Sequence, residues 1–223
     1  MTRLAKSLIA GTVIAILPLT LAFAEDSSNQ SGGSQILNGQ IALHTSVSSL
    51  RTAIDNVGQD VSLQSLAAAN TLDVTTMNDT SVTSNQYTSS VDISSDLGAA
   101  VTNVGGNVTI QGQAICNSAT VSTDPNVTKI NNTQQCDAVD PTSGTYVYAN
   151  GVGGDLRVSN LAAGNTFEAD SNATNMPVNN LQINHANTTA LTTANVSNIA
   201  GNVSVTSAAI GNNAQIVHYS TGN

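Results

Sequence analysis

Asn103 to Val121 reads NVGGNVTIQGQAICNSATV. Val108 and Ile110 alternate with Thr109 and Gln111, the period-two pattern of a strand with one buried face. The Gly105-Gly106-Asn107 step before it is turn chemistry, because glycine and asparagine tolerate positive φ. Ala114-Ile115-Cys116-Asn117 reads as a second tight turn, after which Ala119 and Val121 form the inward face of a second strand. The same pattern recurs without a gap at Asn56 to Val74, Gly151 to Ala169 and Asn198 to Ile216. Each copy carries Ala at the twelfth position (Ala67, Ala114, Ala162, Ala209) and Asn at the fifteenth (Asn70, Asn117, Asn165, Asn212). Four copies at a spacing of 47 or 48 residues point to a repeat architecture before any other class.

The inward positions of the first strand are Val61 and Leu63, Val108 and Ile110, Leu156 and Val158, and Val203 and Val205. Those of the second are Leu72 and Val74, Ala119 and Val121, Phe167 and Ala169, and Ala214 and Ile216. Between units the pattern is weaker. Gln40-Ile41, Gln86-Tyr87, Gln135-Cys136 and Gln182-Ile183 each precede a unit, and short alternations surround them. The spacing predicts an all-β, right- or left-handed β-solenoid in which each period of about 47 residues forms two rungs of about 23. One rung with a long loop is the competing expectation. The recurring Asn is expected to form a structural ladder at the turn, since stacked asparagines bond their neighbours' amides.

Only 9% of residues are charged and 3% aromatic, and there is no Trp. Low charge without Pro-richness differs from ordinary disorder, and the shortage of large apolar residues argues against a thick globular core. A thin β structure with Val, Ile and Ala inside fits both facts.

Arg3 and Lys6 precede an apolar run from Leu8 to Ala22, and Ala22-Phe23-Ala24 supplies a signal-peptidase site followed by Glu25 and Asp26. Residues 1–24 are therefore expected to be a secretory leader cleaved after Ala24, and no later run is long enough to span a membrane. Residues 25–34 are expected to form a disordered polar segment, and 35–223 the repeat domain. Loss of the leader leaves Arg51, Lys129 and Arg157 against fourteen acidic residues, two units below the full chain's formal charge of −9. Such a chain repels nucleic acid. The expected location is the outer cell surface or the medium, reached through the periplasm.

Cys116 and Cys136 are expected to form a disulfide, the default for a cysteine pair in an exported chain. Residues one rung apart would lie about 4.8 Å apart, within disulfide range. No metal or cofactor is expected. His44, His185 and His218 fall at unrelated places in the repeat, and no metal-ligand spacing occurs. Asp60 and Asp155 stand where other copies have Asn, which indicates turn propensity rather than acid–base work. Gly153-Gly154-Asp155 lacks the nonapeptide run needed to stack calcium sites.

Asn202 to Tyr219 (NVSVTSAAIGNNAQIVHY) resembles a curlin repeat, the strand-turn-strand unit of bacterial amyloid fibres. The 47-residue pattern, with its Ala-x-Gly-Asn step and preceding Gln, is similar to the holdfast-anchoring proteins of stalked alphaproteobacteria. The chain departs from curlin in its doubled period, its cysteine pair and its lack of a Gln at each strand end. The resemblance implies a non-enzymatic surface adhesin or anchor that tethers the envelope to an extracellular polysaccharide or other surface proteins. A structural subunit of a curli-type fibre is the alternative. The fourth unit ends with no Lys or Pro on its edge, so self-association through the C-terminal edge is expected.

Overall fold

The computed structural model describes residues 33–124 and 127–219; the expected leader, its cleavage site at Ala24 and most of the polar segment lie outside them. The described residues are all-β, in two parallel sheets. One sheet contains β1 (Ser34–Ala42), β2 (Ser46–Val57), β4 (Thr80–Val104), β6 (Thr128–Val152), β8 (Val178–Asn184) and β9 (Thr189–Ile199). The other contains β3 (Val61–Thr76), β5 (Val108–Thr123), β7 (Leu156–Ser171) and β10 (Val203–His218). β4 and β6 run unbroken for 25 residues, whereas the first and last equivalents are split into β1 with β2 and β8 with β9.

Register corrects the expected two rungs per period. Val61 pairs with Val108, Val108 with Leu156, and Val203 with Leu156, so each strand meets its own equivalent one full period away. Ser34 likewise pairs with Thr80, and Thr80 with Thr128. Each period therefore makes one layer, crossing the first sheet once and the second once. The stretch between units is neither a second rung nor a loop. It is the opposing wall, and the apolar faces of the two walls are buried against each other.

Three apolar clusters lie between the walls. Leu97, Val101, Val108, Ile110, Leu156 and Val158 fill one end, and Val82, Val121, Ile130 and Phe167 the other. Ile93, Ala114 and the cysteines lie in a third cluster. Buried polar rows accompany them. Ser95 Oγ donates to Ser65, and Asn160 Nδ2 donates to the carbonyls of Ser143 and Leu191. Gly112 takes the Ser65 and Asn160 position in its layer, where a Cβ would crowd the Asn160 oxygen at 2.9 Å.

The Ala-x-x-Asn step is not a turn. β3, β5, β7 and β10 pass straight through it. In β5 the inward–outward alternation shifts phase there, so that Cys116 and Asn117 are both buried. The turn chemistry of each unit's opening also divides differently. Positive φ falls on Asn56, Asn103, Gly151 and Asn198, the first residue of each unit. The glycines two and three residues later serve close approach: a Cβ on Gly153 would lie 2.5 Å from the Gly105 carbonyl oxygen.

Candidate functional site

The inward Asn row ties the layers together. Asn70 Nδ2 donates to Asn117 Oδ1 at 2.8 Å, Asn117 to Asn165 at 2.8 Å, and Asn165 to Asn212 at 2.7 Å. The same amides reach across the core to the carbonyls of Tyr87, Gln135 and Ile183. A second row on the opposite wall runs Gln40, Gln86, Gln134, Gln182, each later Nε2 donating to the earlier Oε1 at 2.7–2.9 Å. The third member is Gln134, not Gln135 as the sequence spacing suggested. Gln135 stands in the Tyr87 column and donates to Asp137 at 2.7 Å. Both rows are structural: their amides are engaged inside the stack.

Cys116 on β5 and Cys136 on β6 are joined, with Cα atoms 6.0 Å apart. The bond crosses from wall to wall, so its geometry differs from the expected link between stacked rungs. Both cysteines are fully buried beside Ala114 and Ile93, where the bond fastens the two sheets.

Carboxylates at the corners bridge successive layers. Asp60 Oδ1 accepts the Asn107 backbone N–H at 2.7 Å, and Asp155 Oδ1 accepts that of Asn202 at 2.9 Å. The carboxyl of Asp155 is held below its ordinary pKa, first by the Asn202 N–H and then by Arg157. Hydrogen bonds from Thr102 and Asn103 do the same for Asp55, the His185 bond does so for Asp137, and the Asn187 N–H for Asp140. His185 Nδ1 lies 2.6 Å from Asp137, His218 Nε2 lies 2.5 Å from the Ala173 carbonyl, and His44 falls between β1 and β2. The three histidines are not brought together. Among the described residues no group of three or more His, Cys, Asp or Glu could hold a metal ion, and no helix could cross a membrane.

The outer face of the first sheet carries a shallow, open groove lined by Arg51, Ala53, Gly98, Ala100, Tyr146 and Tyr148. Parallel register sets Arg51, Gly98, Tyr146 and Thr193 in one row and Ala53, Ala100, Tyr148 and Asn195 in the next. The two tyrosines are 48% and 45% exposed, on alternate positions of a strand paired on both sides. Gly98 leaves the floor open, where a Cβ would touch only the stem of Arg51 at 3.7 Å. Arg51 also binds Asp96 at 2.6 Å. The sequence search for catalytic and metal spacings passed over these residues. Tyr146-Val147-Tyr148 was the available signal, since two of the chain's four tyrosines fall on one strand face.

A repeat protein of parallel layers, with an open aromatic groove outside and amide rows inside, has the make-up of a binding or scaffold protein. The chain belongs to the HfaD family, holdfast attachment protein D, which matches residues 55–223. That membership supports a role in surface attachment and a cell-surface or extracellular location. No curated protein and no solved structure matches the chain.

Proposed function

We propose that this chain is an exported β-solenoid, a binding protein and not an enzyme, that anchors the cell envelope to an extracellular polysaccharide through its tyrosine groove. The observation that carries this is the pairing of Tyr146 and Tyr148, exposed together on one strand above a floor of Gly and Ala. A tyrosine offers an apolar ring face and a phenolic hydroxyl, which suits a sugar ring with apolar C–H patches and hydroxyl edges. Thr193 and Asn195 add hydroxyl and amide groups along the same rows. Repeated weak contacts along a polymer give avidity without any single tight site.

The test is a Tyr146→Ala/Tyr148→Ala chain assayed for binding to the isolated surface polysaccharide and for cell attachment. Both residues face outward, so the variant should be exported and folded as the wild type is. Loss of polysaccharide binding with normal surface display is the expected result. Unchanged binding and attachment would remove the groove from the reading.

A further inference from the structure

The layer of β8, β9 and β10 is the last of the four described, and its inward-facing residues are open to solvent. Val203, Val205 and Ile216, which pair with the buried Leu156, Val158 and Ala169, are each close to half exposed. From Asn172 onward the sequence contains no Asp, Glu, Lys or Arg. The first layer, by contrast, carries Arg51, Asp55, Asp60, Asp73 and Asp79. Open strand edges pair with other chains unless charge, Pro or a cover prevents it.

The polar rows show what would fit there. Asn212 receives a hydrogen bond from Asn165 and donates to the Gln182 carbonyl, leaving one amide hydrogen over. Asn70, at the other end of that row, offers its Oδ1. The Gln row runs the opposite way: Gln182 retains an unused Oε1, and Gln40 gives one hydrogen to the Thr71 carbonyl and keeps another. At the corner, the Oδ1 atoms of Asp60, Asn107 and Asp155 each receive the next layer's backbone N–H. Asn202 carries the same oxygen with no fifth layer to supply a donor among the described residues, and the first layer's Asp60 N–H stands at the matching position. Three rows therefore end in complementary atoms, donor against acceptor, at opposite ends of one molecule.

We infer that copies of this chain join head to tail, the β8–β10 layer of one continuing into the β1–β3 layer of the next in the same register. The apolar columns agree: Val203 would meet Val61, Val205 would meet Leu63, and Ile199 would meet Val57. One residue opposes the contact. Gly106, Gly154 and Gly201 occupy one column in which a Cβ would lie 2.6–2.9 Å from backbone of the preceding layer. The first layer has Gln59 in that column. Docking a copy below it forces that turn to shift, so Gln59 limits the strength of the joint.

A chain carrying both Ser62→Cys and Ser204→Cys tests the register, because these outward positions share one column and would be neighbours only across a head-to-tail joint. Mild oxidation of the exported full chain should give a reducible ladder of dimers, trimers and longer species, and each single variant should stay monomeric. A monomeric double variant, or equal dimer from Ser204→Cys alone, overturns the inference. Should the added cysteines disturb folding, sedimentation of Gln59→Gly decides. Its association should tighten roughly tenfold, the size of relieving one overpacked contact, and no tightening counts against the joint.

Discussion

β7 and β10 carry the same pattern and have very different surroundings. Leu156 and Val158 in β7 are almost wholly buried, whereas Val203 and Val205, their partners in β10, are nearly half exposed. The paired positions are apolar in both strands, so burial here belongs to place in the stack and not to the residue. β7 has a parallel neighbour on each side, and β10 has one. Stability in such a stack is the sum of each layer's own terms and its interfaces with neighbours, so the two end layers have the fewest interfaces, and the final one is the more exposed of the two. Its half-exposed inward face is one that another molecule can reach.

The largest expected difference between the two lies at their apolar positions. Phe167 on β7 is 1% exposed and packs with Val121, Ala119 and Ala169. Phe167→Ala should cost about 3–5 kcal/mol through lost burial and the cavity left behind. Ile216 on β10 is 49% exposed, and Ile216→Ala should cost less than about 1 kcal/mol, as exposed substitutions do. Urea denaturation followed by circular dichroism measures both. Equal losses would mean that β10 is covered in solution, which the head-to-tail joint would itself bring about at high concentration. The comparison therefore belongs at the lowest concentration that gives signal.

The Asn row gives the next contrast. Asn117 bonds to Asn70, Asn165 and the Gln135 carbonyl within the stack. Asn117→Ala strands buried amide partners and should cost about 1–3 kcal/mol. Asn212 has a stacked neighbour on one side and a long 3.3 Å bond to the Gln182 carbonyl. Asn212→Ala should cost about half as much by the same reasoning, measured in the same denaturation series. An equal cost would show that the row acts as one cooperative unit, not as separate contacts.

Much of this was legible in the sequence because repetition is. The four Asn positions and the alternation of Val108, Ile110 and their equivalents marked the second wall's strands directly. The first wall was harder to see, since buried positions there include Gln86, Ser95 and Ser143. Across-core hydrogen bonds, such as Ser95 to Ser65, make polar residues acceptable inside. A hydrophobic pattern cannot register them. Layer height was misread for a related reason. Alternation marks where a strand is but not which strand it lies against, so two walls facing one another resembled two rungs stacked on one another. The Ala-x-x-Asn step carries turn-forming residues, yet its Asn amides bond inward and hold the strand straight through. The tyrosine groove arises from columns nearly 50 residues apart, which only the register brings together.

The smallest effect, and the one that most sharply separates the last layer from the rest, is its response to acid. Four aspartates have their pKa lowered from the model-compound value of 3.8, and three of them hold the last layer. Asp137 binds His185, Asp140 binds the Asn187 N–H, and Asp155 binds the Asn202 N–H. A carboxyl whose folded pKa is depressed binds its proton more readily when unfolded. Its contribution is complete above the unfolded value and fades as pH falls through the folded one. All three lie at the surface, where solvent screening keeps each contribution small. Below about pH 4, the range of unperturbed carboxyls, amides of β8, β9 and β10 should lose protection from hydrogen exchange before those of β5 and β7. Asp155→Asn isolates one corner. Asn107 already presents an amide oxygen to the Asp155 N–H at 2.9 Å, so an asparagine can make the same bond without titrating. The variant should show a reduced acid response at the Asn202 corner, with the His185 and Asn187 contacts still responding. If exchange in β5 and β7 rises together with that in β10, the four layers open as one unit, and the graded stability inferred from the burial contrast fails.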